Sequence, residues 1–67
     1  MSAKYQFVVE GALSERVLAA FPELESATRE ATTALTGTVA DSTAMRGVLA
    51  RLDNLGLTLL EMRRLPE

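Results

Sequence analysis

The chain has 67 residues and a formal net charge of −2, with seven Lys and Arg against nine Asp and Glu. It contains no cysteine and no histidine, which excludes disulfides, thiol catalysis, the commonest general base and the commonest transition-metal ligand. Its longest basic run is Arg63-Arg64, too little for the electrostatic footprint of a nucleic-acid binder. We therefore expect no catalytic residues, no metal site, no cofactor and no nucleic-acid partner.

The length of the chain favours one small α+β domain that spans residues 1–67. A domain of this size buries only about 60% of the surface that its unfolded chain exposes, and oligomerisation is a natural remedy. No apolar run approaches the ~20 residues needed to cross a bilayer, and the start MSAKYQ lacks the features of a signal peptide. We expect a cytoplasmic protein with no membrane partner.

The first half of the chain predicts a strand, a short helix and a hairpin. Residues 1–3 are expected to fray, and residues 5–10 then alternate in the manner of a strand with one buried face. Ser14 can cap a helix of two to three turns that stops near Pro22. A stretch rich in threonine and alanine follows, which favours two strands joined by a turn near residues 29–31.

The second half predicts an amphipathic helix and a last strand. Asp41 or Ser42 is a suitable N-cap, an apolar stripe follows at helical spacing, and Gly56 can end the helix with a positive φ. Gly47 lies inside this helix, where glycine costs about 1 kcal/mol relative to alanine. We expect it to allow close approach to a strand. Residues 57–65 then read as the last strand.

The predicted order of elements is β-α-β-β-α-β, which is the ferredoxin-like arrangement of a four-stranded antiparallel sheet with two helices on one face. The alternative is a three-stranded ββαβ-like domain in which residues 12–32 are mostly loop. In the first arrangement, the predicted core draws apolar residues from both helices and from the strands: Phe7, Val9, Val17, Leu18, Phe21, Leu24, Leu35, Val39, Met45, Val48, Leu49, Leu52, Leu55, Leu60 and Met62.

The second half of the chain resembles a group of small uncharacterised bacterial proteins, common in actinobacteria, that share the pattern LxGxVxD...LxGLLxRLxxLGLxLL. The chain departs from that group at Arg46, where relatives often carry a histidine, and at Glu30-Ala31, where they have an Asp-Gly turn. The resemblance implies a compact α+β domain and no particular activity. The residues that carry it are Leu35, Gly37, Val39, Asp41, Met45, Gly47, Val48, Leu49, Arg51, Leu52, Leu55, Gly56, Leu57, Leu59 and Leu60.

The helix-free face of the predicted sheet is the best candidate for a binding surface. Val8 and Leu59 are expected to form an apolar island there in a polar frame. Such a face, or a free edge strand, suits a homodimer contact in a chain this small. The expected interface residues are Gln6, Val8, Glu10, Thr36, Thr38, Leu59, Glu61 and Arg63.

The sequence favours a non-enzymatic interaction module that self-associates as a homodimer and acts by binding another, unidentified protein. The alternative is a regulatory domain that senses a small metabolite at its dimer interface. A third hypothesis is an enzyme that uses Tyr5, Glu10 or Glu61, since the two carboxylates could face each other on adjacent strands. Arg46 and Arg51 are expected to be exposed on the main helix, where they either bind a partner or, as the sequence favours, merely keep the helix soluble.

Overall fold

The structure, a computed structural model, describes residues 2–66. The strands form one antiparallel sheet in the order β2-β3-β1-β4. This order with βαββαβ connectivity confirms the predicted ferredoxin-like fold, and the three-stranded alternative is wrong. The elements are β1 (Ala3–Glu10), α1 (Glu15–Leu18), β2 (Glu25–Arg29), β3 (Thr32–Val39), α2 (Ser42–Asn54) and β4 (Leu59–Arg64).

The sheet begins earlier in the chain than the alternation predicts. Ala3 is buried and pairs with Val39 of β3, so the expected fraying is wrong at this residue. Met1, which the same expectation included, lies outside the described residues, as does Glu67. The short side chain of Ala3 adds little to the hydrophobic pattern of the sequence, although its backbone is paired with β3 in the sheet.

Helix α1 is a single turn, shorter than the two to three turns expected. Ser14 caps it as predicted, because its hydroxyl accepts from the Val17 N–H at 3.2 Å. The helix ends at Leu18, and the chain then turns so that Phe21 becomes buried. Pro22 disfavours helical backbone at Phe21, the residue before it, which limits how far the helix could extend.

Helix α2 has the predicted ends. The Asp41 carboxylate accepts from the Ala44 N–H at 2.8 Å, which makes it the N-cap. Gly56 has a φ of +71° just past the last turn, a conformation that glycine adopts without a steric penalty. The α2 side chains Val48 and Leu52 are buried, which places the predicted apolar stripe against the sheet.

The core lies between the helices and one face of the sheet. Phe7 and Val9 of β1 and Leu35 of β3 are fully buried, and alternation along each strand puts these side chains on the same face. Within the described residues, the buried apolar residues that pack together are Phe7, Val9, Phe21, Leu24, Leu35, Val39, Val48 and Leu52, and Val17, Leu18, Met45 and Leu49 are among those partly buried against them.

Three residues that the sequence placed in the core are exposed. Leu55 and Met62 are each 42% exposed, and Leu60 is 50% exposed. Leu55 follows the end of α2, and the other two lie on β4, an edge strand whose residues are all exposed. The helix layer therefore does not extend over β4, because α2 and the one-turn α1 cover mainly the centre of the sheet.

Two segments of the chain approach each other closely at Gly37. The sequence predicted such an approach at Gly47, and that prediction is wrong. A Cβ atom on Gly37 would lie 2.7 Å from a Leu24 methyl carbon and 2.9 Å from the Glu23 carbonyl oxygen. A Cβ atom on Gly47 would meet no atom of the described residues within 4 Å, apart from its chain neighbours and the nearby backbone of its own helix. The segment before β2 therefore crosses directly over β3 at a position that only glycine fits.

Candidate interaction surface

The helix-free face of the sheet is built from cross-strand rows. Gln6 lies between Thr36 of β3 and Arg63 of β4 in the register of the sheet. Val8 lies between Ala34 and Glu61 in the next row. Since paired residues of an antiparallel ladder point to the same face, the rows place seven of the eight predicted interface residues on this face or at its margin: Gln6, Val8, Glu10, Thr36, Thr38, Glu61 and Arg63.

Leu59 does not lie on the helix-free face, and this placement corrects the prediction. The register between β1 and β4 shifts between Val8 and Val9, so that Val8 pairs with Glu61 but Val9 pairs with Leu59. This β-bulge adds one residue, Leu60, to β4. Leu59 therefore faces the helix-covered side, as Val9 does, and the expected apolar island with Val8 is not formed.

Large apolar side chains are exposed along β4 instead. Leu59, Leu60 and Met62 are 38%, 50% and 42% exposed, whereas the neighbouring Phe7 and Val9 on β1 are fully buried. Met62 pairs with Phe7 and Leu59 with Val9, so these two side chains continue the core face beyond the reach of the helices. We call Leu59, Leu60 and Met62 the β4 apolar residues. An edge strand with such a surface is a typical site of association.

Arg51 has a structural role that the sequence analysis missed. Its guanidinium donates to the Ala20 carbonyl at 2.7 Å, forms an ion pair with Glu23, and lies 5.1 Å from the Phe21 ring centre. These contacts join α2 to the segment between α1 and β2. The expectation that Arg51 is merely exposed is therefore wrong, whereas Arg46 is exposed as expected.

The ion pair changes the ionisation of both partners. The hydrogen bond from Arg51 lowers the pKa of the Glu23 carboxyl, because it favours the charged form. The hydrogen bond to Glu23 likewise raises the pKa of Arg51. The sequence carries one signal for this contact. Arg51 lies beside the apolar stripe of α2, where a long side chain can reach a neighbouring segment.

The three residues proposed for an enzymatic site do not converge. Glu10 and Glu61 are both on the helix-free face, but Glu61 pairs with Val8, and the Glu10 N–H donates to the Thr58 carbonyl at 2.9 Å. The two carboxylates are therefore not directly opposite each other. Tyr5 pairs with Gly37 and alternates with Gln6, so it lies on the other face of the sheet. The three groups therefore do not share one face of the sheet.

A shallow cleft lies on the helix-covered side, next to the start of α2. It has a volume of about 460 Å³ and includes Tyr5, Asp41, Met45 and Arg64 in its lining. The Asp41 carboxylate is already engaged in capping the helix. The cleft thus combines an apolar wall with one cationic side chain at the end of β4.

Within residues 2–66, which the structure describes, no group of three or more acidic side chains is arranged to hold a metal ion. In the same part of the chain, neither helix has the length and apolar character needed to cross a membrane.

Comparison with known protein families finds a match that runs from the first strand to the last. The model of a domain of unknown function, DUF8691, matches residues 4–63. The chain belongs to the DUF8691 family. No curated protein and no solved structure matches it. The DUF8691 match covers all the elements that form the sheet and its helix layer, and the resemblance to small bacterial proteins stays a prediction.

Proposed function

We propose that this DUF8691 chain is a non-enzymatic interaction module that self-associates as a homodimer and acts by binding another protein. The observation that carries the proposal is the exposure of the β4 apolar residues on an edge strand, beside fully buried residues of β1. Contiguous exposed apolar surface of this kind is typical of protein-binding sites.

The size of the chain supports the same proposal. The core of the described residues contains eight packed apolar side chains, which leaves a small domain with a low free energy of unfolding. Association buries further apolar surface and so adds to that free energy. The lack of histidine and cysteine, together with the separation of Tyr5 from Glu10 and Glu61 across the sheet, favours binding over catalysis.

The test is the solution mass over a hundredfold range of concentration, measured by light scattering coupled to size exclusion. We expect the mass to rise toward that of a dimer as concentration increases. Met62→Ser should reduce this association, because it removes exposed apolar surface, and Thr43→Ser at an exposed position of α2 is the control. A wild-type chain that stays monomeric at high micromolar concentration would overturn the proposal.

A second candidate is a regulatory domain that binds a small metabolite, and the cleft beside α2 favours it. Its volume of about 460 Å³ lies within the range of small-molecule sites, and Arg64 could pair with an anionic group. A panel of anionic metabolites should then raise the unfolding temperature by mass action. Loss of that shift in Arg64→Gln would support the site, and no shift with any compound would count against it.

A further inference from the structure

The β4 edge carries a pattern of charge that fits a second copy of itself. We propose that the dimer forms by antiparallel pairing of β4 with the β4 of a second chain, with the two-fold axis at Met62 and with Glu61 opposite the partner's Arg63. This inference rests on the proposed self-association and specifies the surface and the register that produce it.

The hydrogen bonds between β1 and β4 show which backbone groups face the free edge. The Leu65 N–H donates to the Lys4 carbonyl at 2.8 Å, and the register pairs Gln6 with Arg63. Because hydrogen-bonded pairs alternate along an antiparallel ladder, Arg63 and Glu61 direct their backbone groups to β1. Met62 and Arg64 therefore direct theirs outward, to where a further strand would pair.

This alternation limits the possible registers of a symmetric β4 pair. Outward-facing residues must pair with outward-facing residues, so the two-fold axis passes through a residue and not between two. An axis at Glu61 opposes two glutamates, and an axis at Arg63 opposes two arginines. An axis at Met62 instead creates two Glu61–Arg63 pairs between the chains.

The remaining registers are worse for other reasons. An axis at Arg64 opposes two arginines and places Pro66, which has no N–H, opposite the partner's Met62. An axis at Leu60 falls on the β-bulge, which disturbs the backbone needed for pairing. The Met62 register is therefore the one in which hydrogen bonding and charge agree.

In that register the two faces of the β4–β4 contact differ: one face has ion pairs and the other has apolar contact. Glu61 and the partner's Arg63 form a non-hydrogen-bonded pair, in which Cα atoms approach to about 4.5 Å and side chains interact most closely. Met62 meets the partner's Met62 on the helix-covered side, where it is now 42% exposed. Apolar contact on one side and ion pairs on the other thus stabilise the same arrangement.

The other edge of the sheet offers only half of this pattern. Strand β2 has the sequence ESATR, and all its residues are exposed. An axis at Ala27 would also place Glu25 opposite the partner's Arg29, but β2 contains no large apolar side chain to add apolar contact. The β-bulge restricts pairing on β4 to about five residues, because bulges twist an edge away from its partner. We therefore expect a dimer that dissociates on dilution.

The test uses two single variants that are complementary to each other. Glu61→Arg opposes two pairs of arginines in the proposed dimer, and Arg63→Glu opposes two pairs of glutamates. Each variant alone should have a roughly tenfold higher dissociation constant than the wild type, since like charges directly opposite each other are destabilising. An equimolar mixture of the two should form a heterodimer, and the double variant Glu61→Arg/Arg63→Glu should regain the homodimer.

Controls come from the other edge strand. Glu25→Arg and Arg29→Glu make the same charge changes on β2 and should keep the wild-type mass. All the substituted residues are exposed, and far-UV circular dichroism checks that each variant is folded. If the β4 charge changes leave the dissociation constant at its wild-type value, or if the mixture of the two variants forms no dimer, the Met62 register alone is overturned. A monomeric wild type would overturn the proposed function as well.

Discussion

At the scale of single residues, Thr33 has a role that strand propensity does not explain. It is fully buried, and its hydroxyl donates to the Gly11 carbonyl at 2.8 Å and accepts from the Leu13 N–H at 3.4 Å. Threonine is common on strands because of its branched side chain. Here the hydroxyl also satisfies the backbone of the connection between β1 and α1.

We predict that Thr33→Val lowers the free energy of unfolding by about 1–3 kcal/mol, because it leaves the Gly11 carbonyl and the Leu13 N–H without this partner. Valine has nearly the same shape, so packing is retained. The exposed Thr38→Val on the same strand should change stability by less than about 0.5 kcal/mol. Urea unfolding followed by circular dichroism measures both. Equal effects of the two substitutions would contradict the assigned role.

The glycines give a second prediction, in which the same substitution has opposite effects. Gly37→Ala should destabilise the fold by about 1–3 kcal/mol, because its methyl group overlaps the Leu24 side chain and the Glu23 carbonyl. Gly47→Ala should stabilise it by up to about 1 kcal/mol, since alanine favours the helix and the site has room. Thermal unfolding of both variants checks the pair. A stabilising Gly37→Ala would show that the segment before β2 moves freely.

At the scale of elements, the Arg51 contacts hold α2 to the segment that follows the one-turn α1. The Glu23 side chain is 43% exposed and that of Arg51 is 32% exposed, so solvent screens the ion pair and its contribution is at most about 1 kcal/mol. The hydrogen bond to the Ala20 carbonyl and the contact with the Phe21 ring add to it. These contacts thus help to position a one-turn helix whose apolar residues, Val17 and Leu18, are only partly buried against the core.

The lowered pKa of Glu23 predicts a pH dependence of stability. Its carboxylate form is favoured in the folded state, so the contribution is present above the unfolded carboxyl pKa of about 4.3 and is lost as pH falls through the lower folded value. We expect Glu23→Gln to be less stable than the wild type at neutral pH, and the difference to shrink in acid. Urea unfolding at several pH values measures this.

The exposed Glu25→Gln is the matched control for that experiment and should follow the wild-type profile. A difference between Glu23→Gln and the wild type that grows in acid would show the opposite sign of coupling. It would also mean that Arg51 does not stabilise the ionised form of Glu23.

At the scale of the whole molecule, self-association should appear in stability. Because a partner that binds only the folded chain stabilises it by mass action, we predict that the unfolding temperature of the wild type rises with protein concentration. Glu61→Arg, which should raise the dissociation constant about tenfold, should need about tenfold more protein for the same rise in unfolding temperature. Differential scanning calorimetry at a series of concentrations measures both, and a concentration-independent wild type would contradict the prediction.

The sequence by itself determined the order of the elements, the ends of α2 and most of the core. These features depend on local patterns: a capping carboxylate at Asp41, a glycine after the last turn, and apolar spacing that matches a helix or a strand. The alternation along β1 and β3 also identified the helix-free face. Each of these signals lies within a few residues of the feature that it predicts, so no knowledge of distant segments is needed.

Tertiary structure alone decided which residues meet across the chain. The β-bulge that turns Leu59 to the helix-covered side depends on the pairing of β4 with β1, and the need for glycine at position 37 depends on the path of the segment before β2. Arg51 contacts a segment about thirty residues away in sequence. The exposure of Leu60 and Met62 likewise follows from how far the helix layer extends. Apolar spacing shows which side chains can be buried, but only the placement of neighbouring elements determines which of them are covered.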